Sequence, residues 1–188
     1  MNPPIAFLDA NVLYPAGLRS FLMYLALIGV FQVKWSREVH EDWISNLLIN
    51  RPNLTRSKLD RTRRLMDKNA RGALVKGYES LIPGLSLPDV NDRHVLAAAI
   101  RSGANVIVTK NLKDFPLHAV QRFNIEPLHP DVFIVRLIDQ SPEKVREAME
   151  AHRISLKNPP FTISEFLSML ESQGIPRSVV ALHVLLTQ

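Results

Sequence analysis

Seven carboxylates in this chain stand where they could work together. Asp9 ends the stretch FLDANVLYP. Glu38, Glu41 and Asp42 open SREVHEDWISNLL, Asp89 and Asp92 open DVNDRHVLAAAI, and Asp114 lies in VTKNLKDFP. In an open parallel sheet, ligands bind beyond the carboxyl ends of the strands. Asp9 follows four apolar residues at such an end, where no capping duty is expected of it. Asp114 falls in the loop after another strand, and the remaining acids fall at or near the starts of helices. Four distant segments would then send acids to one rim, an arrangement that is repulsive unless a divalent cation sits among them. Carboxylates and water suit Mg²⁺ or Mn²⁺, and such ions support in-line phosphoryl displacement.

The elements that must position these acids alternate. Ile5 to Asp9 reads as a buried strand, and Leu18 to Ile28, apolar almost all round, as a buried helix ended by Gly29. Phe31 to Trp35 reads as a second strand. Ser36 caps a helix reaching about Ile49, and Thr55 caps a basic helix running to about Gly72. Asp89 starts a helix closed by Gly103, in which Asp89 and Asp92, three apart, share a face. Asn105 to Thr109 is a third strand, and a short helix leads to a fourth near Ile125. Apolar strands separated by helices predict an α/β fold with a parallel sheet and helices on both faces. After about residue 130 only helices are expected: 132–138, 142–154, 163–173 and 176–186, with a break at Lys157-Asn158-Pro159-Pro160.

Each acid also has a purely structural reading. Asp89 can be an N-cap, Asp92 a dipole-favoured acid, Glu38 and Glu41 ordinary first-turn acids, and Asp114 a turn former. On the helix after Ser36, Asp42 and Glu38 are four apart and border the apolar stripe of Val39, Trp43 and Leu47, whereas Glu41 faces solvent more. The order of expectation is therefore Asp42, Glu38, Glu41. His40 and His94 read as packed or surface residues, and Trp35 and Trp43 as core.

The chain has 188 residues and a net charge of +5. Residues 51–130 hold fourteen Lys/Arg against seven Asp/Glu, while the segments on either side each hold one more acid than base. Arg56, Arg63, Arg64, Lys68 and Arg71 belong to a basic cluster that is an electrostatic footprint for a polyanion such as RNA. With no cysteine, the chain has neither disulfides nor Cys-based zinc sites. The start MNPPIAFLDAN lacks the layout of a signal peptide, and the longest apolar stretch, Phe21 to Phe31, is too short for a membrane span. A cytoplasmic protein is expected.

FLDANVLYP, WSREVHEDWISNLL, DVNDRHVLAAAI and VTKNLKDFP, in this order and spacing, resemble the PIN-domain ribonucleases, most closely the VapC-type toxins of bacterial toxin–antitoxin pairs. The resemblance covers residues 5 to about 130. The helices beyond resemble an extension found in one subgroup. A PIN-like nuclease domain at 1–130 and a helical extension at 131–188 are thus expected. The resemblance implies a Mg²⁺- or Mn²⁺-dependent endoribonuclease acting on tRNA or other structured RNA, a cognate antitoxin, and often a homodimer.

Carried onto this chain, the family's first acid is Asp9, with Asn11 beside it. The helix acid falls on Asp42, where the family usually has Glu. The extra methylene of Glu being absent, Asp42 would reach a metal through water, with Glu38 assisting. The third acid is Asp92, with Asp89 auxiliary. Asn111 stands where Asp is common, leaving Asp114 as the fourth acid, with Thr109 and Asn111 hydrogen-bonding the cluster. Asp9, Asp92 and Asp114 are the implied metal ligands. Three rivals stand beside this reading. One is a PIN domain that binds RNA or a partner without cutting. Another is a haloacid-dehalogenase-type phosphatase, whose second Asp would be needed where Asn11 stands. The last is a pure interaction module.

Overall fold

A computed structural model describes residues 2–187, with side chains through Leu186; Met1 and Gln188, the outer limits of the two expected domains, lie outside the described residues. Four parallel strands form one sheet. They are β1 (Ile5–Leu8), β2 (Gln32–Lys34), β3 (Val106–Val108) and β4 (Glu126–Leu128), in the order β2-β1-β3-β4. Every residue of β3, and Ala6 to Leu8 of β1, is buried. Because alternate side chains point to opposite faces, burial of consecutive residues means that both faces are covered. The expected α/β architecture with a parallel sheet is the one observed.

The strand ends differ from the sequence reading in one way that matters. β1 stops at Leu8, and Asp9 is the N-cap of a single helical turn, α1 (Ala10–Leu13). Asp9 therefore does have a capping duty. An Asp in extended conformation can accept the orphan amide of the turn that follows, and a strand leading straight into a helix needs such a residue. Pro15 ends this turn and precedes α2 (Ala16–Leu27). Pro15 offers no side-chain acceptor to the new helix. The acceptor comes instead from far along the chain: Leu18 N–H donates to Gln173 Oε1 at 2.5 Å.

Ser36 caps α3 (Arg37–Asn50) by accepting from Val39 N–H, and Thr55 caps α4 (Arg56–Asn69) by accepting from Lys58 N–H. α4 ends at Asn69, before the expected Gly72, so Arg71 lies beyond the helix and does not continue its basic side. Between α3 and α4 a buried polar network forms. Trp43 Nε1–H donates to His40 Nδ1 at 3.0 Å, so the neutral ring carries its proton on Nε2, which faces Asp67 Oδ1 at 3.2 Å. Trp35 Nε1–H donates to the same oxygen at 2.9 Å. Burial holds His40 below the ordinary imidazole range, against the pull of Asp67. Both tryptophans are core residues, as expected from the sequence, and His40 is buried with them.

The helix expected to start at Asp89 begins as a 3-10 turn over Val90–Asp92, capped by Asp89, and becomes α5 (Arg93–Arg101). After β3 a 3-10 turn at Leu112–Asp114 precedes α6 (Leu117–Val120). Then come α7 (Pro130–Gln140), α8 (Pro142–Ser155), α9 (Ile163–Ser172) and α10 (Pro176–Thr187). These four share a continuous apolar core with the sheet. α2 touches β2 as well as α8 and α9, which explains why its sequence is apolar on nearly every side. His152 of α8 is buried among Phe21, Tyr24 and Phe166, and that burial pushes its pKa down to about 4. Among the described residues no helix is long and apolar enough to cross a membrane.

Asp131, buried in the first turn of α7, accepts from Ser178 N–H at 2.7 Å, Arg177 N–H at 3.1 Å and Ser178 Oγ–H at 2.7 Å. One carboxylate thus caps the start of α10 from another helix. Asp131→Ala removes the acceptor of both N–H groups, while Ser178 Oγ–H keeps the residue-131 carbonyl at 2.9 Å, so the cost should be about 1–2 kcal/mol. Urea unfolding should show a lower midpoint for this variant, with Asp131→Asn intermediate.

Candidate active site

The carboxyl ends of β1 and β3 lie side by side, because Leu8 pairs with Val108. Thr109 follows β3 as Asp9 follows β1, and their side chains meet. Asp9 is only 7% exposed. Its Oδ1 accepts from Ala10 N–H at 2.6 Å. Its Oδ2 accepts from Asn11 Nδ2–H at 2.6 Å and from Thr109 Oγ1–H at 2.7 Å. Asn11 is held in turn, its Oδ1 accepting from Lys110 N–H at 2.9 Å. Asn111 N–H donates to Thr109 Oγ1 at 3.0 Å, and Asn111 Nδ2–H donates to Asp114 Oδ2. Asn11 and Thr109 are therefore hydrogen-bonded to Asp9, and Asn111 to Asp114.

A cleft of about 890 Å³ opens at this rim. Asp9, Asn11, Glu38, Asp42, Asp89, Asp92, Asn111 and Asp114 all line it. Glu41 does not. It turns away to Arg56, which reaches both its oxygens at 2.9 and 2.6 Å. Glu38 and Asp42 are differently engaged: Tyr78 Oη–H donates to Glu38, and Asp42 Oδ2 stands 3.5 Å from His94 Nε2. His94 lines the cleft, and its Nδ1 is buried without a hydrogen-bond partner among the described residues. As a lone histidine, His94 carries no spacing signal in the sequence. Lys110, Tyr14, Asn46 and Asn50 also line the cleft and were missed. Lys110, adjacent to Thr109 at the strand end, was the one with a positional hint.

Burial raises the Asp9 carboxyl above the usual carboxylate range, against the lowering hydrogen bond from Thr109. Burial also raises Asp42, with Glu38 and Glu41 adding and His94 opposing. Asp92 is pushed up to about 7, first by burial and then by Asp9, Asp114 and Asp89. His94 eases the crowding at Asp9 and Asp42, but every influence on Asp92 raises it, so the cluster favours bound protons or a bound cation. Among the described residues, no three acid or histidine groups converge into a cage of their own. The carboxylates instead spread along an open wall. That donor set, all hard oxygen, fits a Mg²⁺-type ion, which keeps several waters and takes one or two carboxylates from the protein. Arg56 and Arg63 of the basic cluster are tied into ion pairs with Glu41, Asp60 and Asp67, while Arg64 and Lys68 are exposed.

Asp92 makes stability pH-dependent in metal-free buffer. Its folded pKa of about 7 lies above the ordinary value of about 3.9. Between these values the native state holds more protons than the unfolded one, so stability falls as pH rises through the window. The contribution is about 1–2 kcal/mol after allowing for solvent screening at this partly buried site. Thermal melts in EDTA should show that Asp92→Asn raises Tm at about pH 8 and has little effect at about pH 4. A variant less stable than wild type at the higher pH overturns this account of the cluster.

Three comparisons bear on what carries this site. The PIN domain family model matches residues 6–113, and the model of the VapC50 C-terminal domain matches residues 130–184, the stretch that forms α7 to α10. A curated protein of Mycobacterium tuberculosis, named "Putative ribonuclease VapC50", is 40% identical over 101 residues. That match spans 54% of this chain and 59% of the relative, so the chain covers about three-fifths of that protein's length. No solved structure matches. Since the PIN model covers more than half of the 188 residues, including Asp9, Asp42, Asp89 and Asp92 and stopping one residue short of Asp114, the chain belongs to the PIN-domain family.

Proposed function

We propose that this protein is a Mg²⁺- or Mn²⁺-dependent endoribonuclease and the toxin of a toxin–antitoxin pair. It would hydrolyse tRNA or another structured RNA and be silenced by a cognate antitoxin. Residues 1–130 form the nuclease unit in this reading and 131–188 its helical extension. The observation that carries it is the meeting of Asp9, Asp42, Asp92 and Asp114, from four distant segments, in one cleft beside the paired ends of β1 and β3. The relative's name, "Putative ribonuclease VapC50", supports the same reading.

Asp9, Asp92 and Asp114 would hold the ion between them, one or two directly and the rest through water. When bound, the ion supplies a Lewis acid for the phosphate oxygen and a water of lowered pKa. Thr109 and Asn11 fix the Asp9 carboxylate so that its orientation is set before substrate arrives. Asn111 does the same for Asp114. Asp42, which stands 3.5 Å from His94 in the same cleft, would act through a water, with Glu38 assisting. Asp89 caps the turn that presents Asp92.

The second reading is a PIN domain that binds RNA without cutting it. It draws on the helix acids: Glu38 already has Tyr78 as a partner and Asp42 has His94. Metal dependence separates the two. Incubation with mixed RNA should give cleavage that vanishes in EDTA and returns with either ion. Asp9→Asn, Asp42→Asn and Asp92→Asn should each lose about a hundredfold or more while staying folded, whereas Glu41→Gln keeps its activity. Undiminished cleavage in EDTA sinks the mechanism. Growth arrest on expression, relieved by the product of a neighbouring gene, is expected of a toxin; arrest that no neighbour relieves counts against that assignment.

A further inference from the structure

A second cleft, of about 930 Å³, adjoins the acidic one and shares Tyr14, Pro15 and Lys110 with it. The two are opposite in charge. Six carboxylates line the first; among the described residues no Asp or Glu lines the second, where Arg19, Arg51 and Lys58 stand with the shared Lys110. Three elements build it. Its floor is the turn from α1 into α2. One wall is the end of α3 with the start of α4, which carry Arg51 and Lys58. The other wall is the end of α9, Ser172 to Gly174.

The α9 wall is fastened to the nuclease core. Lys110 Nζ donates to Gln173 O at 2.8 Å, and Gln173 Oε1 takes Leu18 N–H. A Cβ on Gly17 would overlap Met169 Sδ and Gln173 Nε2, so α2 and α9 approach closely here. The end of a helix exposes carbonyls and repels anions. Lys110 offsets this at the groove and keeps two further donors for another group. Arg19 is buried, donating to Leu13 O at 2.5 Å and lying 4.6 Å over the Trp43 ring, so its charge is fixed beneath the floor. Arg51 and Lys58 are exposed and take no part in the ion pairs that occupy Arg56 and Arg63.

We propose that this basic cleft is the groove for the substrate backbone. Phosphates of single-stranded RNA next to the scissile bond lie along Arg51, Lys58 and Lys110, with the end of α9 as the far wall. Tyr14, half-buried where the clefts join, gives a base a face to stack on. The inference rests on the hydrolase reading for the placing of the scissile phosphate. The charge contrast carries it further: a polyanion cannot lie along the acidic wall alone, and the adjoining cleft is free of acids. The C-terminal helices then have a role in substrate binding as well as in packing.

The test is binding of a short fluorescein-labelled single-stranded RNA in EDTA, where nothing is cut, read by anisotropy across a salt series. Arg51→Gln/Lys58→Gln should weaken binding on the order of tenfold at about 0.1 M salt and flatten the salt slope by about 1.4, two single-strand phosphate contacts. Lys110→Met should act in the same direction. Arg64→Gln/Lys68→Gln, on the exposed side of α4, is the comparison, and circular dichroism verifies that each variant is folded. Unchanged binding by the Arg51/Lys58 pair overturns the groove, as does a loss confined to the Arg64/Lys68 pair or a wild type that binds no RNA. Adding Mg²⁺ or Mn²⁺ separates this from the parent reading. RNA held through the groove but never cut counts against the hydrolase alone; RNA cut by wild type and held equally by the groove variants counts against the groove alone.

Discussion

The structure turns on the parallel pairing of β1 with β3, which brings Asp9 and Thr109 within hydrogen-bond reach of one another. A buried carboxylate is costly unless its oxygens are satisfied. Asp9 meets that condition three times over, through Ala10, Asn11 and Thr109. Two of those partners come from its own turn and one from a strand a hundred residues away. The same pairing brings Lys110, Asn111 and Asp114, which follow Thr109, to the cleft that Asp9 lines. Without it the acids would be scattered charges on separate loops.

The crowding that results opposes folding and favours a ligand. Asp92 gathers repulsion from Asp9, Asp114 and Asp89 and sits near neutrality in its pKa. Such a cluster persists because the surrounding frame is rigid: a continuous buried core beneath it, and capped helix starts at Asp9, Ser36 and Asp89 around it. Any cation that relieves the repulsion binds the native state and stabilises it by mass action.

The C-terminal helices belong to the same design. They cover the side of α2 that the sheet leaves open, and Gln173 supplies the cap that Pro15 cannot. Through Lys110 and Gln173 they are joined to the residue that follows Thr109, so the packing of α9 and the geometry of the rim are linked by adjacent positions in the chain.

Much of this was legible in the sequence. Apolar runs of four to five residues between helical patterns determined the parallel sheet, and Ser36 and Thr55 marked their helices because side-chain capping is a local interaction. The spacing of Glu38, Glu41 and Asp42 about the Val39–Trp43–Leu47 stripe determined that Glu41 points away from the cleft, since helical periodicity is local too. The capping role of Asp9 was hidden because one short turn leaves no periodic trace. The pairing of Arg56 with Glu41, the approach of His94 to Asp42 and the basic cleft beneath Gln173 were decided by tertiary structure alone. Each depends on residues far apart in the chain, brought together by packing between elements, and no local pattern encodes a partner at that distance.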